Sequence, residues 1–185
     1  NNTITIKHKD PAMLDRVVKA QAGLLMEFIP TPQELVDTVS GSVAEDAREA
    51  HEAQMKHNIE KYGFKDWYDW NINNWGTKWD VDPYDNVEVQ KHYLSFGFDS
   101  AWSPPIGIYE ALVADGFTVD AMYYEPGMAF AGIWEDGDDD YYEYGGLNSE
   151  QIADTLPEEL DEAFGISESA AEWEAENEDE ENEEN

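Results

Sequence analysis

The densest run of side chains that could bind a metal ion lies between residues 135 and 143. Its acids surround a single glycine and are Glu135, Asp136, Asp138, Asp139, Asp140 and Glu143. Carboxylate oxygens are the ligands that Ca²⁺ prefers, and the ion takes about six to eight of them. However, the spacing lacks the central glycine and the distal glutamate of an EF-hand loop. The sequence therefore favours an acidic hairpin tip that is exposed to solvent, and we expect no bound metal.

The rest of the sequence contains no metal or catalytic motif. The two histidines nearest each other, His51 and His57, are six residues apart, which does not match the spacing of zinc ligands. The absence of cysteine excludes disulfides, thiolate metal sites and cysteine nucleophiles. There is no Gly-x-Ser-x-Gly segment and no glycine-rich phosphate loop. Acids are so frequent that chance pairs carry no weight as a general acid and base, so the sequence favours a non-enzymatic protein without a cofactor.

Tryptophan is concentrated between Trp67 and Trp102, a stretch that holds five of the seven tryptophans in the chain. A tryptophan side chain buries about 150–250 Å², and its indole N–H needs a hydrogen-bond partner. The cluster is therefore either part of the core, held in register by neighbouring asparagines and Thr77, or a surface on which one or two rings are exposed. The core alternative fits a chain this acidic better.

Six residues of this stretch are candidates for a ligand site or a structural cluster: Trp70, Asn74, Trp75, Lys78, Trp79 and Trp102. Lys78 stands between two tryptophans in a segment that otherwise carries acids. We expect its ammonium group to stack on an indole ring or to pair with one of these acids. Either contact would fix the loop, and we favour this structural role over contact with a ligand.

The first part of the chain is predicted to be β-α-β. Residues 3–6 alternate β-branched side chains, as a strand does. Residues 11–21 follow an Asp-Pro pair that is typical of a helix start, and apolar side chains recur in them at helical spacing. Residues 24–29 are a short apolar run that ends at Pro30, which predicts a second strand.

Residues 33–86 are predicted to be an insertion between two parts of a smaller fold. Within the insertion, residues 44–62 have the composition of a helix that ends at Gly63, and opposite charges four residues apart support this helix. The Trp-rich segment that follows is expected to be a loop.

The second part of the chain is predicted to be β-α-β-β, followed by a C-terminal helix. The predicted strands cover residues 87–102 (with a bulge at Gly97), 117–124, 128–134 and 141–144, and the predicted helix covers residues 106–114. Residues 148–166 are predicted to form a helix that is capped by Ser149 and interrupted at Pro157. The low-complexity acidic residues 167–185 are expected to be disordered.

Together these elements predict an α+β fold of the ferredoxin-like kind over residues 1–147. Its antiparallel sheet would have helices on one face, with the C-terminal helix and the acidic tail added to it. No apolar run approaches the roughly 18 residues of a membrane-spanning helix, and no signal peptide is present. We therefore expect a protein of the cytoplasm that does not enter a membrane.

Charge is the property in which this chain departs furthest from an ordinary globular protein. Its 185 residues include 43 Asp and Glu against 10 Lys and Arg, a formal net charge of −33. Such a field repels nucleic acid and anionic membranes, and it attracts basic partners. Direct nucleic-acid binding is disfavoured because it needs basic side chains that displace counterions from phosphates. High solubility or adaptation to high salt is the alternative explanation of the acidity.

Four segments carry a resemblance to a known family. They are Ile29-Pro-Thr-Pro-Gln-Glu-Leu35, Asn74-Trp-Gly-Thr-Lys-Trp-Asp80, Phe98-Asp-Ser-Ala-Trp-Ser-Pro-Pro105 and Tyr124-Glu-Pro-Gly-Met-Ala-Phe-Ala-Gly-Ile133. In that order they resemble the Api92-like (YubB-type) family of phage and plasmid proteins. The resemblance covers about residues 2–145, and it implies a mobile-element origin and a ferredoxin-like fold. It implies no reaction, and this chain departs from the pattern in lacking cysteine near its start and in its very acidic C-terminal extension.

Charge and resemblance together predict an acidic mobile-element protein that binds and inhibits a bacterial host protein. The partner would be a nucleic-acid-binding or defence protein with a basic cleft, which the acids would occupy as a mimic of DNA. The expected contact residues are Asp136, Asp138, Asp139, Asp140, Glu143, Glu158, Glu159, Asp161 and Glu162. Two alternatives stay open. The first is a binding module for a small molecule or metal, or an enzyme of unrecognised type, with its site at the Trp-rich stretch. The second is a structural or assembly partner.

Overall fold

The computed structural model describes residues 1–84 and 87–183. Within these residues six strands form one antiparallel sheet, in the order β2-β3-β1-β4-β5-β6. The strands are β1 (Asn2–Lys7), β2 (Glu88–Gln90), β3 (Tyr93–Phe98), β4 (Thr118–Glu125), β5 (Phe130–Glu135) and β6 (Asp138–Glu143). The two middle strands are β1 and β4, and the two edges are β2 and β6.

Helices account for most of the remaining chain. They are α1 (Pro11–Ala20), α2 (Leu24–Phe28), α3 (Gln33–Val36), α4 (Arg48–Tyr62), α5 (Trp67–Trp75), α6 (Ile106–Ala114), α7 (Ser149–Thr155), α8 (Glu158–Phe164) and α9 (Ile166–Glu183). The predicted α+β class is confirmed, and α1, α4 and α6 lie where the sequence predicts helices. Across residues 1–84 and 87–183, no helix is both long and apolar enough to cross a membrane.

One face of the sheet packs against α1, α2, α5 and α6. Ile4 and Ile6 of β1 both point to this face, because side chains alternate along a strand. They are buried in one core with Leu14 and Val17 of α1 and with apolar residues of the other three helices. This core holds α5 and α6, and therefore the Trp-rich stretch, in a fixed position relative to the sheet.

The opposite face of the sheet packs against α7, α8 and α9. Met122 and Tyr124 alternate along β4 with the residues of the first core, and they pack against a second core that includes Ile152 and Leu160. The sequence predicts helices on one face of the sheet and does not predict which face the C-terminal helix covers. The structure assigns it to the other face, because β4 and β5 carry apolar side chains on both faces.

The predicted strand over residues 24–29 is wrong, since Leu24–Phe28 form α2. The Asp80 carboxylate accepts hydrogen bonds from the backbone N–H groups of Leu25 and Met26, at 2.8 and 2.9 Å. These are N–H groups that the first turn of a helix leaves without a partner. Asp80 and Leu25 are 55 residues apart, so no local pattern reveals the contact. β1 pairs instead with β3 and β4, antiparallel to both.

The first part of the Trp-rich segment, Trp67–Trp75, is a helix, where the sequence predicts a loop. Asp66 is the N-cap of α5, and its carboxylate accepts a hydrogen bond of 2.9 Å from the Asp69 N–H. Gly76 ends the helix in a left-handed conformation. Both residues are typical helix boundaries, but the many aromatic and asparagine side chains between them have low helix propensity.

The predicted strand over residues 87–102 is divided into two. A turn at residues 91–92 separates β2 from β3, and β3 ends at Phe98. The predicted bulge at Gly97 is wrong, because Gly97 pairs with Thr3 in an uninterrupted register. A Cβ atom at Gly97 would lie 2.8 Å from the ring of Tyr84, so a larger residue there would force this ring to shift.

The acidic tail is helical through Glu183, where the sequence predicts disorder from residue 167. The Glu174 carboxylate accepts hydrogen bonds from the backbone N–H and the hydroxyl of Ser149, at 2.8 and 2.7 Å, and so joins α9 to the first turn of α7. The cap of α7 is Asn148 rather than Ser149, and with Gln151 it forms a capping box. Composition alone predicts disorder because it does not show this docking.

Candidate functional site

Two of the segments that carry the family resemblance, residues 74–80 and 98–105, lie against each other in the fold. The Thr77 hydroxyl donates a hydrogen bond of 3.1 Å to the Ala101 carbonyl and accepts one of 3.0 Å from the Ala101 N–H. The Ser103 hydroxyl donates a further hydrogen bond to the Gly76 carbonyl. Thr77 is fully buried, so both of its bonds are shielded from water. The two segments therefore form one rigid unit.

Glycine at two positions allows this close approach. Gly76 has a φ of 85°, and a Cβ atom there would lie 2.8 Å from the carbonyl oxygen of Pro104. A Cβ atom at Gly107 would lie 1.9 Å from the carbonyl oxygen of Asn74. No other residue fits where the end of α5 meets the start of α6, because every other side chain begins with a Cβ.

The predicted cluster of six residues is divided between the core and the surface. Trp75 is buried, and its indole N–H donates a hydrogen bond of 2.8 Å to the carbonyl of Ile29. Trp70 packs against the same core, with its ring edge-to-face to that of Trp75 at 6.0 Å between centroids. The Asn74 side chain donates to the Trp70 carbonyl within α5. These three residues are structural.

The other three residues, Lys78, Trp79 and Trp102, meet at the surface, and we refer to them as the aromatic clamp. Trp79 is 60% exposed and Trp102 is 66% exposed. The Lys78 ammonium lies 4.0 Å from the centroid of the Trp79 ring and 5.8 Å from that of the Trp102 ring. Both distances are within the range of cation–π attraction. The expected stacking of Lys78 on an indole is present.

The backbone that carries the aromatic clamp is held by the buried side chain of Asn71 and the partly buried side chain of Asp80. The Asn71 amide donates a hydrogen bond of 2.9 Å to the Lys78 carbonyl. The Asp80 carboxylate accepts from three backbone N–H groups, including that of Val81. Burial raises the pKa of Asp80, while the three N–H donors act in the opposite direction. The clamp is thus displayed by a well-anchored turn.

Trp102 has a φ of 72°, a left-handed conformation that is rare in residues with a Cβ atom. It follows directly after Ala101, whose N–H and carbonyl are both bonded to Thr77. The strain is therefore imposed by the contact between the two segments. Because the indole is mostly exposed, burial of the ring does not explain why a tryptophan occupies this position.

The acidic residues predicted on the hairpin lie on the edge strand β6 and in the turn before it. They are Asp136, Asp138, Asp139, Asp140 and Glu143, and all five are exposed. Side chains alternate along β6, so Asp138 and Asp140 point to the face covered by the second core, and Asp139 and Glu143 point to the other. Charged side chains on an edge strand also prevent pairing with other sheets.

Two of these acids also have structural contacts. The Asp136 carboxylate accepts a hydrogen bond of 3.0 Å from the Val119 N–H, and Asp139 accepts one of 2.7 Å from the Tyr123 hydroxyl. Burial and the bond to Asp139 raise the pKa of Tyr123. In the part of the chain that the structure describes, no three His, Asp or Glu side chains come together in a group that could hold a metal ion.

The acids predicted on the last helix have different roles. Glu158, Glu159 and Glu162 are exposed on α8. Asp161 is instead partly buried, and its carboxylate accepts hydrogen bonds from the N–H and hydroxyl of Ser167, at 2.7 and 2.5 Å. Asp161 therefore caps the first turn of α9 and belongs to the scaffold.

The charge is strongly asymmetric along the chain and in the fold. Lys91 is the last lysine or arginine and His92 is the last histidine, so residues 93–185 contain 27 acids without Lys, Arg or His. β4, β5, β6 and α7–α9 all come from this part, and we refer to them together as the anionic half. Lys7 lies on β1, next to the anionic half, and its Nζ is 3.3 Å from the Asp120 carboxylate. Overall composition hides this asymmetry because it averages the charge over the chain, whereas the position of the last lysine reveals it.

No family model matches the chain, and a search of curated proteins finds no match either. Among solved structures, the chain is similar to the crystal structure of a protein api92 from Yersinia pseudotuberculosis, which is assigned the family model DUF1281. The identity is 25%, the alignment covers 46% of this chain and 32% of that chain, and the TM-score is 0.33. The chain thus spans about a third of the length of this relative, and over that part it is similar to an Api92 protein.

Proposed function

We propose that this chain is an Api92-like protein of a phage or plasmid that binds a basic, nucleic-acid-binding protein of its bacterial host and inhibits it in the cytoplasm. The observation that carries the proposal is the charge of residues 93–185, which hold 27 acids and no base and which include the whole of the anionic half. If the acids served only solubility, we would expect them to be spread over the whole surface rather than concentrated on three neighbouring strands and the helices that cover them.

The spacing of the acids supports mimicry of DNA. Asp138 and Asp140 are two residues apart on one side of β6, which is about 6.8 Å at the rise of an antiparallel strand. Glu168 and Glu172 are four residues apart on α9, about 6 Å along the helix axis. Duplex DNA has one phosphate per about 3.4 Å of axis on each strand, so these carboxylates are spaced like every second phosphate.

Binding would follow from electrostatic steering and would exclude nucleic acid by competition. The opposite charges of a basic cleft and of the anionic half accelerate association of the two proteins. The association rate falls as the salt concentration rises, because salt screens these charges. The carboxylates then occupy positions that phosphates would take. No reaction is involved, and neither a cofactor nor direct contact with nucleic acid is required.

Replacement of acids in the anionic half should weaken binding more than replacement of the same number elsewhere. The test variant carries Asp138→Asn, Asp140→Asn, Glu158→Gln and Glu162→Gln. Immobilised wild-type protein in bacterial lysate should retain a DNA-binding protein at low salt and release it to duplex DNA. The test variant should retain about tenfold less, since each exposed charge pair contributes a fraction of a kcal/mol.

The matched control variant carries four exposed acids of the other half as amides: Asp46→Asn, Glu49→Gln, Glu52→Gln and Glu60→Gln. It has the same net charge as the test variant, and it should retain the partner like the wild type. Equal losses in both variants would show that only net charge matters. Failure of duplex DNA to release the partner would contradict competition for a nucleic-acid cleft.

The two alternative functions have less support. A deep ligand pocket at the Trp-rich stretch would need Trp70 and Trp75 to line it, but both belong to the first core. A structural or assembly role would fit acids that cover the molecule evenly, and their concentration after Lys91 argues against it.

A further inference from the structure

The aromatic clamp is a surface feature that the anionic half does not explain. It lies on residues 74–80 and 98–105, outside the strands and helices of the anionic half. Two exposed indoles face one ammonium group there, at 4.0 and 5.8 Å from the ring centroids. The ring faces therefore already accommodate a cation, and that cation belongs to the chain itself.

The geometry of the clamp is maintained although the rings contribute little to the core. Trp102 is 66% exposed and is held in a left-handed conformation. Such a conformation is unfavourable in a residue with a Cβ atom, and it persists only where the surroundings enforce it. Thr77 and Ser103 supply that enforcement. Backbone strain of this kind is frequent at binding sites and active sites.

We propose that Trp79 and Trp102 form a binding site for an arginine side chain of the basic partner, and that Lys78 occupies this site in the free protein. The proposal rests on the proposed function, since a basic partner supplies the arginine. A guanidinium group is planar and weakly hydrated, so it stacks on an indole more readily than the strongly hydrated ammonium of lysine. The incoming arginine would displace Lys78, whose flexible side chain can move into solvent.

A small probe tests this site without the partner. N-acetyl-arginine amide carries one guanidinium charge, and N-acetyl-citrulline amide has nearly the same shape without the charge. The readout is the set of indole N–H signals in a ¹⁵N–¹H spectrum, assigned through single substitutions. The arginine probe should shift the signals of Trp79 and Trp102 saturably, and the citrulline probe should not. Trp173 is an internal control, because it is equally exposed, at 66%, on the acidic helix α9.

Variants separate the clamp from general charge attraction. Lys78→Met empties the site and should strengthen binding of the arginine probe about threefold, the size expected for an exposed cation–π contact. Trp79→Leu and Trp102→Gly should abolish the saturable shift, and Trp173→Leu should leave it unchanged. Glycine at 102 suits the left-handed backbone, so this variant removes the ring while it preserves the loop.

Each outcome bears on the clamp independently of the proposed function. Saturable shifts that are lost in Trp79→Leu and Trp102→Gly support the clamp, even if no host protein is retained by the anionic half. Equal shifts at Trp173, equal shifts with the citrulline probe, or weaker binding in Lys78→Met would overturn it. Loss of partner retention in the four-acid variant, with the arginine response intact, shows that the two surfaces act separately.

Discussion

At the scale of single residues, Trp102 has a backbone conformation that its own side chain disfavours. Its φ of 72° is enforced by Thr77, which bonds both backbone groups of the preceding Ala101. The indole ring remains mostly exposed to solvent, so it contributes little to the core. We therefore relate the residue type to the binding site proposed for the aromatic clamp rather than to the stability of the free protein.

This assignment predicts a difference between two truncations of Trp102. Trp102→Gly and Trp102→Ala both remove the ring, but only alanine keeps the Cβ atom that disfavours a left-handed backbone. We expect the glycine variant to have the higher free energy of unfolding, by about 1 kcal/mol, in urea denaturation. Equal stabilities of the two variants would show that the conformation of residue 102 is not strained.

At the scale of elements, the C-terminal helix α9 is docked by side chains that look like ordinary surface acids in the sequence. Glu174 bonds the N–H and hydroxyl of Ser149 at the start of α7, where the helix dipole also favours a negative charge. Asp161 caps α9 through Ser167. A helix this rich in acids is thereby held against the second core.

Glu174→Gln should loosen α9 more than Glu172→Gln does. Both substitutions remove one charge from the same helix, but only Glu174 bonds to Ser149. Hydrogen bonds to a charged group contribute about 1.5–3 kcal/mol, so we expect amide hydrogens of α9 to exchange at least tenfold faster in Glu174→Gln. Glu172 is exposed, and its substitution should leave exchange as in the wild type or slow it through reduced repulsion. Similar exchange in both variants would contradict the docking role.

At the scale of the whole molecule, charge and buried hydroxyls set the conditions in which the fold is stable. Burial raises the pKa of Tyr109 and Tyr123, and burial together with a bond to Asp99 raises that of Tyr84 to about 12. These groups keep their protons in the folded state at pH values where the unfolded chain loses them. Their contribution to stability is complete below about pH 10, the ordinary tyrosine value, and falls as pH rises toward the folded values.

The free energy of unfolding should therefore decrease steeply above pH 10. Each of the two buried tyrosines, Tyr109 and Tyr123, contributes up to about 1.4 kcal/mol per pH unit to the slope, and the exposed Tyr84 contributes less. Tyr109→Phe should remove one such contribution, because Tyr109 is fully buried in the first core. Tyr68→Phe is the control at an exposed position on α5. Urea unfolding at pH 9, 10 and 11 measures how steeply the free energy of unfolding falls with pH. An unchanged slope in Tyr109→Phe would contradict the raised pKa of Tyr109.

The candidate site was predictable only as a set of residues. The sequence places Lys78 between Trp75 and Trp79 and predicts that its ammonium stacks on an indole or pairs with a nearby acid. The structure has the first of these contacts. The sequence does not show that Trp75 turns into the core while Trp79 and Trp102 stay outside. That division depends on where α5 ends and how residues 98–105 approach it, and both are contacts between distant segments.

The sequence by itself determined the α+β class, the strands β1, β4 and β5, the helices α1, α4 and α6, and the charge, because periodicity, helix boundaries and ionisable side chains are local properties. Only the tertiary structure decided the rest. α2 is a helix because Asp80 reaches it from 55 residues away, α9 is docked by Glu174, and the aromatic clamp exists because Thr77 bonds Ala101. Each of these depends on a polar side chain that satisfies the backbone or side chain of another segment, and such long-range contacts leave no periodic signal in the chain.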